Sequence, residues 1–124
     1  MRPGSHGQTP TVFEVVQRAV AVCDPDGDDD LIADFLLAHE DRDEPVTSID
    51  AADRSFFESA ERIAGALPSA GVEMTAAVAT YLAFRRDELN DDDDDLLRLA
   101  ARAEYGDNPP EEIRAWLHDA GVAV

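Results

Sequence analysis

The segment from Val72 to Phe84 constrains the fold more than any other part of the chain. Glu73 is its only charged residue, and its apolar side chains point to all sides of a helical wheel. A helix that is apolar all round is usually buried by its neighbours, and this one is too short for a membrane span, which needs about 20 apolar residues. The sequence therefore predicts a central apolar helix over 72–89.

The rest of the chain carries helical periodicity and helix punctuation, and no segment alternates convincingly with the strand period of two. We predict an all-α fold, a compact bundle of five to six short helices. At 124 residues the chain suits one domain, assigned to 11–124, after a flexible N-terminal tail over 1–10. The expected helices cover about 11–23, 28–40, 48–67, 72–89, 96–105 and 109–120.

Helix ends are signalled by particular residues. Thr11 and Glu14 have capping-box spacing, and Glu14 is also placed to pair with Arg18 one turn later. Pro68 is expected to end the third helix, and Gly71 to let the chain reverse. Gly106 is expected to end the fifth helix, and Asn108 with Pro109 to start the sixth. Gly121 is expected to end the sixth helix, with Val122 folding back as in a Schellman motif.

The charge balance is the most unusual property of the composition. Acidic residues number 28 against 10 basic ones, giving a formal net charge of −18, and every basic residue is Arg. Such a surface suits concentrated salt, where charge repulsion is screened, so we hypothesise a halophilic source. A GC-rich genome is the alternative. Direct nucleic-acid binding is disfavoured because the Arg residues are diluted among carboxylates.

Asp24, Asp26 and Asp28 are the candidate metal ligands, because calcium loops place carboxylates at alternate positions. In that register Asp29 stands where a Gly is needed and Phe35 where a Glu should close the ligand shell. A turn followed by a helix N-cap is the competing interpretation. His39 and Asp43 have i,i+4 spacing, but the second histidine of a zinc-protease helix is missing.

No motif indicates a catalytic group or a cofactor. Cys23 has no indicated base partner and lies on the apolar side of the first helix, as an inert core thiol does. His118 near the end of the last helix suits a dipole-complementing role. Trp116 shares a face with Ile113 and Leu117, so it is expected to anchor the core.

Three apolar residues, Leu37, Phe57 and Leu97, fall outside the core-facing stripes and are the candidate interaction residues. The leading hypothesis is a non-enzymatic, acidic protein-interaction module, adaptor or regulator, with a protein partner or a homodimer. The alternatives are an acidic nucleic-acid mimic that occupies a DNA-binding protein, and a metal-dependent enzyme whose carboxylate ligands assemble only in space. The 1–10 segment lacks an apolar run, so neither a signal peptide nor a membrane anchor is expected and the expected location is the cytoplasm.

Overall fold

A computed structural model of the chain describes residues 11–45, 52–65, 69–84 and 93–122. These residues form six α-helices and no strand, which confirms the all-α prediction. The helices are α1 (Val12–Cys23), α2 (Asp30–Ala38), α3 (Ala52–Ala64), α4 (Ala70–Phe84), α5 (Asp93–Tyr105) and α6 (Glu111–Asp119). The 1–10 tail, the proposed caps at 47–48 and the expected end of the central helix over 85–89 lie outside the described residues.

Helix α4 is the centre of the bundle, as its apolar composition predicts. It packs most extensively against α1, α3 and α5, and also contacts α2 and α6. Almost every residue described on it is buried, including Val72, Met74, Val78 and Leu82. Its two threonine hydroxyls are satisfied within the helix, since Thr75 and Thr80 each donate to the carbonyl four residues earlier at 2.8 Å. None of the described helices is both long and apolar enough to cross a membrane.

The first turn of α1 is held by two sets of contacts. Thr11 and Glu14 form the predicted capping box, with Glu14 N–H donating to Thr11 Oγ1 at 3.1 Å and Thr11 N–H to Glu14 Oε1 at 2.8 Å. The segment that follows α2 then crosses this helix end. Val12 N–H donates to the Glu44 carbonyl and Phe13 N–H to the Arg42 carbonyl, so two more N–H groups of the helix end find acceptors.

The link between α3 and α4 differs from the sequence expectation. Helix α3 ends at Ala64 and Gly65 follows with φ of +68°, a left-handed conformation that suits glycine at a helix C-terminus. Helix α4 begins at Ala70, where the Ser69 hydroxyl oxygen accepts from Val72 N–H at 3.2 Å. Gly71 is therefore in the first turn of α4 and does not reverse the chain. Pro68, the expected end of the third helix, lies outside the described residues.

The C-terminal ends of α5 and α6 are as expected, but the start of α6 differs. Gly106 follows α5 with φ of +71°. Helix α6 begins two residues later than expected, with Pro110 at its N-cap position and Pro109 buried ahead of it. At its end, Val122 N–H donates to the Leu117 carbonyl and Gly121 N–H to that of His118, which is the hydrogen-bond pattern of the predicted Schellman motif.

Candidate functional site: the Trp116 cleft

Two adjoining hollows lie where the α1–α2 turn meets the start of α5 and the end of α6. Their volumes are about 550 and 360 Å³, and they share Cys23, Asp24, Asp28 and Trp116. We call them together the Trp116 cleft. Its lining includes seven carboxylates and no basic side chain among the described residues. The carboxylates are those of Asp24, Asp26, Asp28, Asp29, Asp30, Asp93 and Asp119.

Two of these carboxylates are committed to the backbone of the α1–α2 turn. The two oxygens of Asp24 accept from the N–H groups of Asp28 and Asp29, each at 3.0 Å. Asp29 is the N-cap of α2, and its Oδ1 accepts from Leu31 N–H at 3.0 Å and from Ile32 N–H at 3.2 Å. These acids therefore build the local structure, as the N-cap interpretation predicts.

A third carboxylate, Asp93, binds Arg18 at 2.8 Å and so joins the start of α5 to α1. Arg18 therefore makes a tertiary ion pair, and Glu14 accepts the Thr11 N–H of the capping box. The remaining four acids of the cleft, Asp26, Asp28, Asp30 and Asp119, are exposed to solvent. The cleft thus carries a rim of solvated negative charge.

Beside this rim the cleft presents apolar surface. Trp116 is half-buried and packs against the core from its edge, next to Ile32. It is therefore a wall of the cleft as well as the expected core anchor. Its indole approaches the backbone of α4 closely, because a Cβ built on Gly71 would lie 3.2 Å from Trp116 Nε1 and 3.1 Å from Asp29 Oδ2.

Cys23 lies at the inner wall of the cleft, where it is partly buried and packs against the core. Burial raises the pKa of its thiol to about 12, outweighing a hydrogen bond with the Thr75 side chain, and the carboxylates of Asp24 and Asp93 raise it further. A neutral thiol is a poor nucleophile, because the thiolate is the reactive form. The surroundings of Cys23 therefore favour its neutral thiol over the thiolate.

The candidate metal ligands do not converge. Asp24 directs its oxygens at backbone amides, while Asp26 and Asp28 are exposed. Within the described ranges there is no group of three His, Cys, Asp or Glu side chains that could hold a metal ion. His39 and Asp43 also separate, since His39 is buried and Asp43 is exposed. The hypothesis of a spatially assembled metal enzyme gains no support from these positions.

The two described histidines have different surroundings. His118 is exposed at the end of α6. His39, the C-cap of α2, is 1% exposed and lies against the rings of Phe35 and Phe56, with centroid separations of 4.7 and 5.6 Å. This burial is not readable from the residues around His39, because Phe56 lies on α3, which is distant in the chain.

The three candidate interaction residues have different environments and do not share one kind of surface. Leu37 is 59% exposed, Phe57 packs against the core while partly buried, and Leu97 is only 3% exposed. Leu97 is buried because α5 packs against both α4 and α1, which covers a wider face than one stripe. The buried position corrects its assignment to an interaction surface, and Leu37 is the member of the set that solvent reaches.

Comparison of the chain with known protein families, with curated proteins and with solved structures gives no match.

Proposed function

We propose that the protein is a non-enzymatic interaction module that binds a basic, arginine-containing segment of a protein partner in the Trp116 cleft. The observation that carries this proposal is that a half-buried indole and exposed carboxylates line the same two adjoining, open hollows. The metal-enzyme hypothesis needs a cluster of metal ligands, and none is present among the residues that the structure describes.

The chemistry of the cleft suits a side chain with an apolar stem and a cationic head. Trp116 and Leu31, both only partly buried, line it with apolar surface, against which the methylene groups of Arg or Lys pack while the charge stays near solvent. A guanidinium stacked on an indole gains about 0.5–1 kcal/mol at an exposed site and about 2 kcal/mol when desolvated. Asp28 and Asp119 then provide acceptors, and Arg uses paired carboxylate oxygens better than Lys does.

The net charge of −18 argues for a partner of opposite sign over a second copy joined through this cleft. Two such copies would bring like-charged rims together, which is unfavourable unless salt screens them. A basic segment instead gains long-range attraction at low salt. At about 1 M salt the screening length falls to about 3 Å, so the close contact with Trp116 would carry more of the affinity.

The test uses Trp116 as its own reporter, because it is the only tryptophan of the chain. Fluorescence titrations with an Arg-rich peptide, a Lys-rich peptide of equal length and a Glu-rich peptide are made at low and at molar potassium chloride. We expect the Arg-rich peptide to bind best and to change Trp116 emission. The Glu-rich peptide is expected to leave the emission unchanged.

Matched charge variants separate the cleft from general attraction to an acidic protein. Asp28→Asn and Asp119→Asn each remove one rim charge, whereas Asp34→Asn removes an exposed charge of α2 outside the cleft lining. We expect each rim variant to weaken binding several-fold more than Asp34→Asn does. Equal effects of all three variants would refute the proposal. The acidic-mimic hypothesis predicts instead that the protein displaces duplex DNA from a DNA-binding protein. If none of the three substitutions changes this displacement, that hypothesis is favoured.

A further inference from the structure

We propose that the neutral ring of His39 keeps the segment 39–45, the connector, against the N-terminus of α1, and that protonation of this ring releases the connector. We call this arrangement the His39 latch. The proposal concerns a part of the bundle built from α2, α3 and the start of α1, and it does not depend on ligand binding in the Trp116 cleft. Its basis is a buried imidazole at the base of a connector whose backbone carbonyls cap another helix.

The hydrogen bond of His39 fixes the form of its ring. Nδ1 lies 2.8 Å from the Phe35 carbonyl oxygen. A carbonyl oxygen only accepts, so Nδ1 carries a proton. Burial disfavours a second proton on the ring, and the neutral form then has its lone pair on Nε2. An added proton would go to Nε2 and create a cation between the rings of Phe35 and Phe56.

The connector begins at the same residue. The His39 carbonyl accepts from Arg42 N–H at 3.0 Å, which closes a turn directly after α2. The Arg42 and Glu44 carbonyls then accept from Phe13 N–H at 2.8 Å and from Val12 N–H at 3.0 Å. Withdrawal of the His39 ring therefore pulls on the turn that supplies these acceptors to α1.

The charged groups around the ring oppose its protonation. Burial disfavours a cation there most strongly, and Arg42 in the connector and Arg62 on α3 also disfavour it. The bond to the Phe35 carbonyl acts in the opposite direction, but the pKa of His39 is lowered overall. Glu44 is engaged by Arg42 at 2.7 Å, and Glu14, the acid of the first turn of α1, by Thr11 N–H.

The sign of the pH effect follows from the lowered pKa. An open connector exposes His39 with an ordinary pKa of about 6.5 and binds a proton more readily than the closed form does. The closed form therefore has its full stability relative to the open form above about pH 6.5. This stability decreases as the pH falls toward the lowered pKa of His39. Across that window the opening constant rises by up to about tenfold for each pH unit.

Amide hydrogen exchange of the full chain measures this opening between pH 5 and 7, above the range in which ordinary carboxylates titrate. After correction for intrinsic exchange, the N–H groups of Val12 and Phe13 report the connector and that of Ala77 in mid-α4 reports global unfolding. We expect the Val12 and Phe13 opening constants to exceed that of Ala77 and to rise as the pH falls. The rise should vanish in His39→Phe and remain in His118→Gln, whose histidine is exposed.

Three outcomes would overturn the latch. The first is that the opening constants are equal at all three amides. The second is that the pH dependence of the Val12 and Phe13 opening constants persists in His39→Phe. The third is that these constants do not change with pH in the unmodified chain. If His39→Phe does not fold, His39→Gln gives the same comparison without a titrating ring. An NMR titration of the His39 ring in the unmodified chain gives a further check, because an ordinary or raised pKa would refute the proposal.

Discussion

Leucine-to-alanine substitutions at Leu82 and Leu37 test the packing of the bundle and the interaction hypothesis together. The two residues lose the same atoms on mutation, but Leu82 is completely buried in α4 and Leu37 is 59% exposed on α2. Any difference between the variants therefore reports the surroundings of the side chain and not its chemistry.

The expected cost follows from these burials. Leu82 lies on the helix that packs against α1, α3 and α5, so neighbours on several sides limit collapse around the missing atoms. Leu-to-Ala changes at buried sites cost about 2–5 kcal/mol, and we expect about 3 kcal/mol for Leu82→Ala. For Leu37→Ala we expect a change within about 0.5 kcal/mol, because little packing is lost and Ala is the better helix former.

Urea titrations followed by circular dichroism at fixed potassium chloride are the suitable assay, because guanidinium chloride would also screen the charges of an acidic chain. With a slope of about 1.5 kcal/mol/M, a loss of 3 kcal/mol lowers the urea midpoint by about 2 M. Each variant is measured at two protein concentrations at least tenfold apart, because dimer stability depends on protomer concentration.

The reasoning is refuted if Leu82→Ala shifts the midpoint as little as Leu37→Ala. A large cost at Leu37 that grows with protein concentration would place Leu37 in a homodimer interface, as one form of the interaction hypothesis predicts. A large cost at Leu37 that does not depend on concentration would contradict its exposed position.

Two further predictions concern the cleft and the charge. Gly71→Ala should lack the gain of about 0.5–1 kcal/mol usual for Gly-to-Ala in a helix and should change the Trp116 emission, because the new Cβ crowds Trp116 Nε1 and Asp29 Oδ2. If Gly71→Ala gains the full stability and leaves the Trp116 emission unchanged, the side chains of Trp116 and Asp29 move away from the new Cβ at no cost, which would refute this prediction. Raising potassium chloride from low to molar concentration should raise the urea midpoint, since salt screens the repulsion within a chain of net charge −18. Equal midpoints at both salt concentrations would count against the halophilic hypothesis.

Local punctuation and composition were sufficient to predict much of the fold. The capping box at Thr11, the glycine stop at Gly106 and the Schellman motif around Gly121 each depend on residues within one or two turns of each other. The central position of α4 followed from apolar residues on all its sides, which is also a local property. Such features are readable because the interacting groups are close in sequence.

The environments of individual side chains depended on helix packing, which no single helix encodes. Leu97 is buried by the combined presence of α1 and α4, and His39 by Phe56 of α3. The Trp116 cleft needs the α1–α2 turn, α5 and the end of α6 at one end of the bundle. Periodicity identifies the face of Trp116 but does not show that this face reaches the edge of the core.

The acids of the cleft have two separable roles, and this bears on how the −18 charge should be interpreted. Asp24 and Asp29 accept backbone hydrogen bonds, so Ala at either position should destabilise the start of α2, whereas Asn keeps one acceptor oxygen and should cost less. Asp28 and Asp119 are exposed and make no such contact among the described residues, so neutralising them should leave the fold intact. If the cleft serves binding, the charge of the second pair, Asp28 and Asp119, matters for the ligand. The first pair, Asp24 and Asp29, matters for the geometry of the turn. Asn substitutions therefore separate the two, because they remove charge from all four residues and threaten the hydrogen bonds of only the first pair.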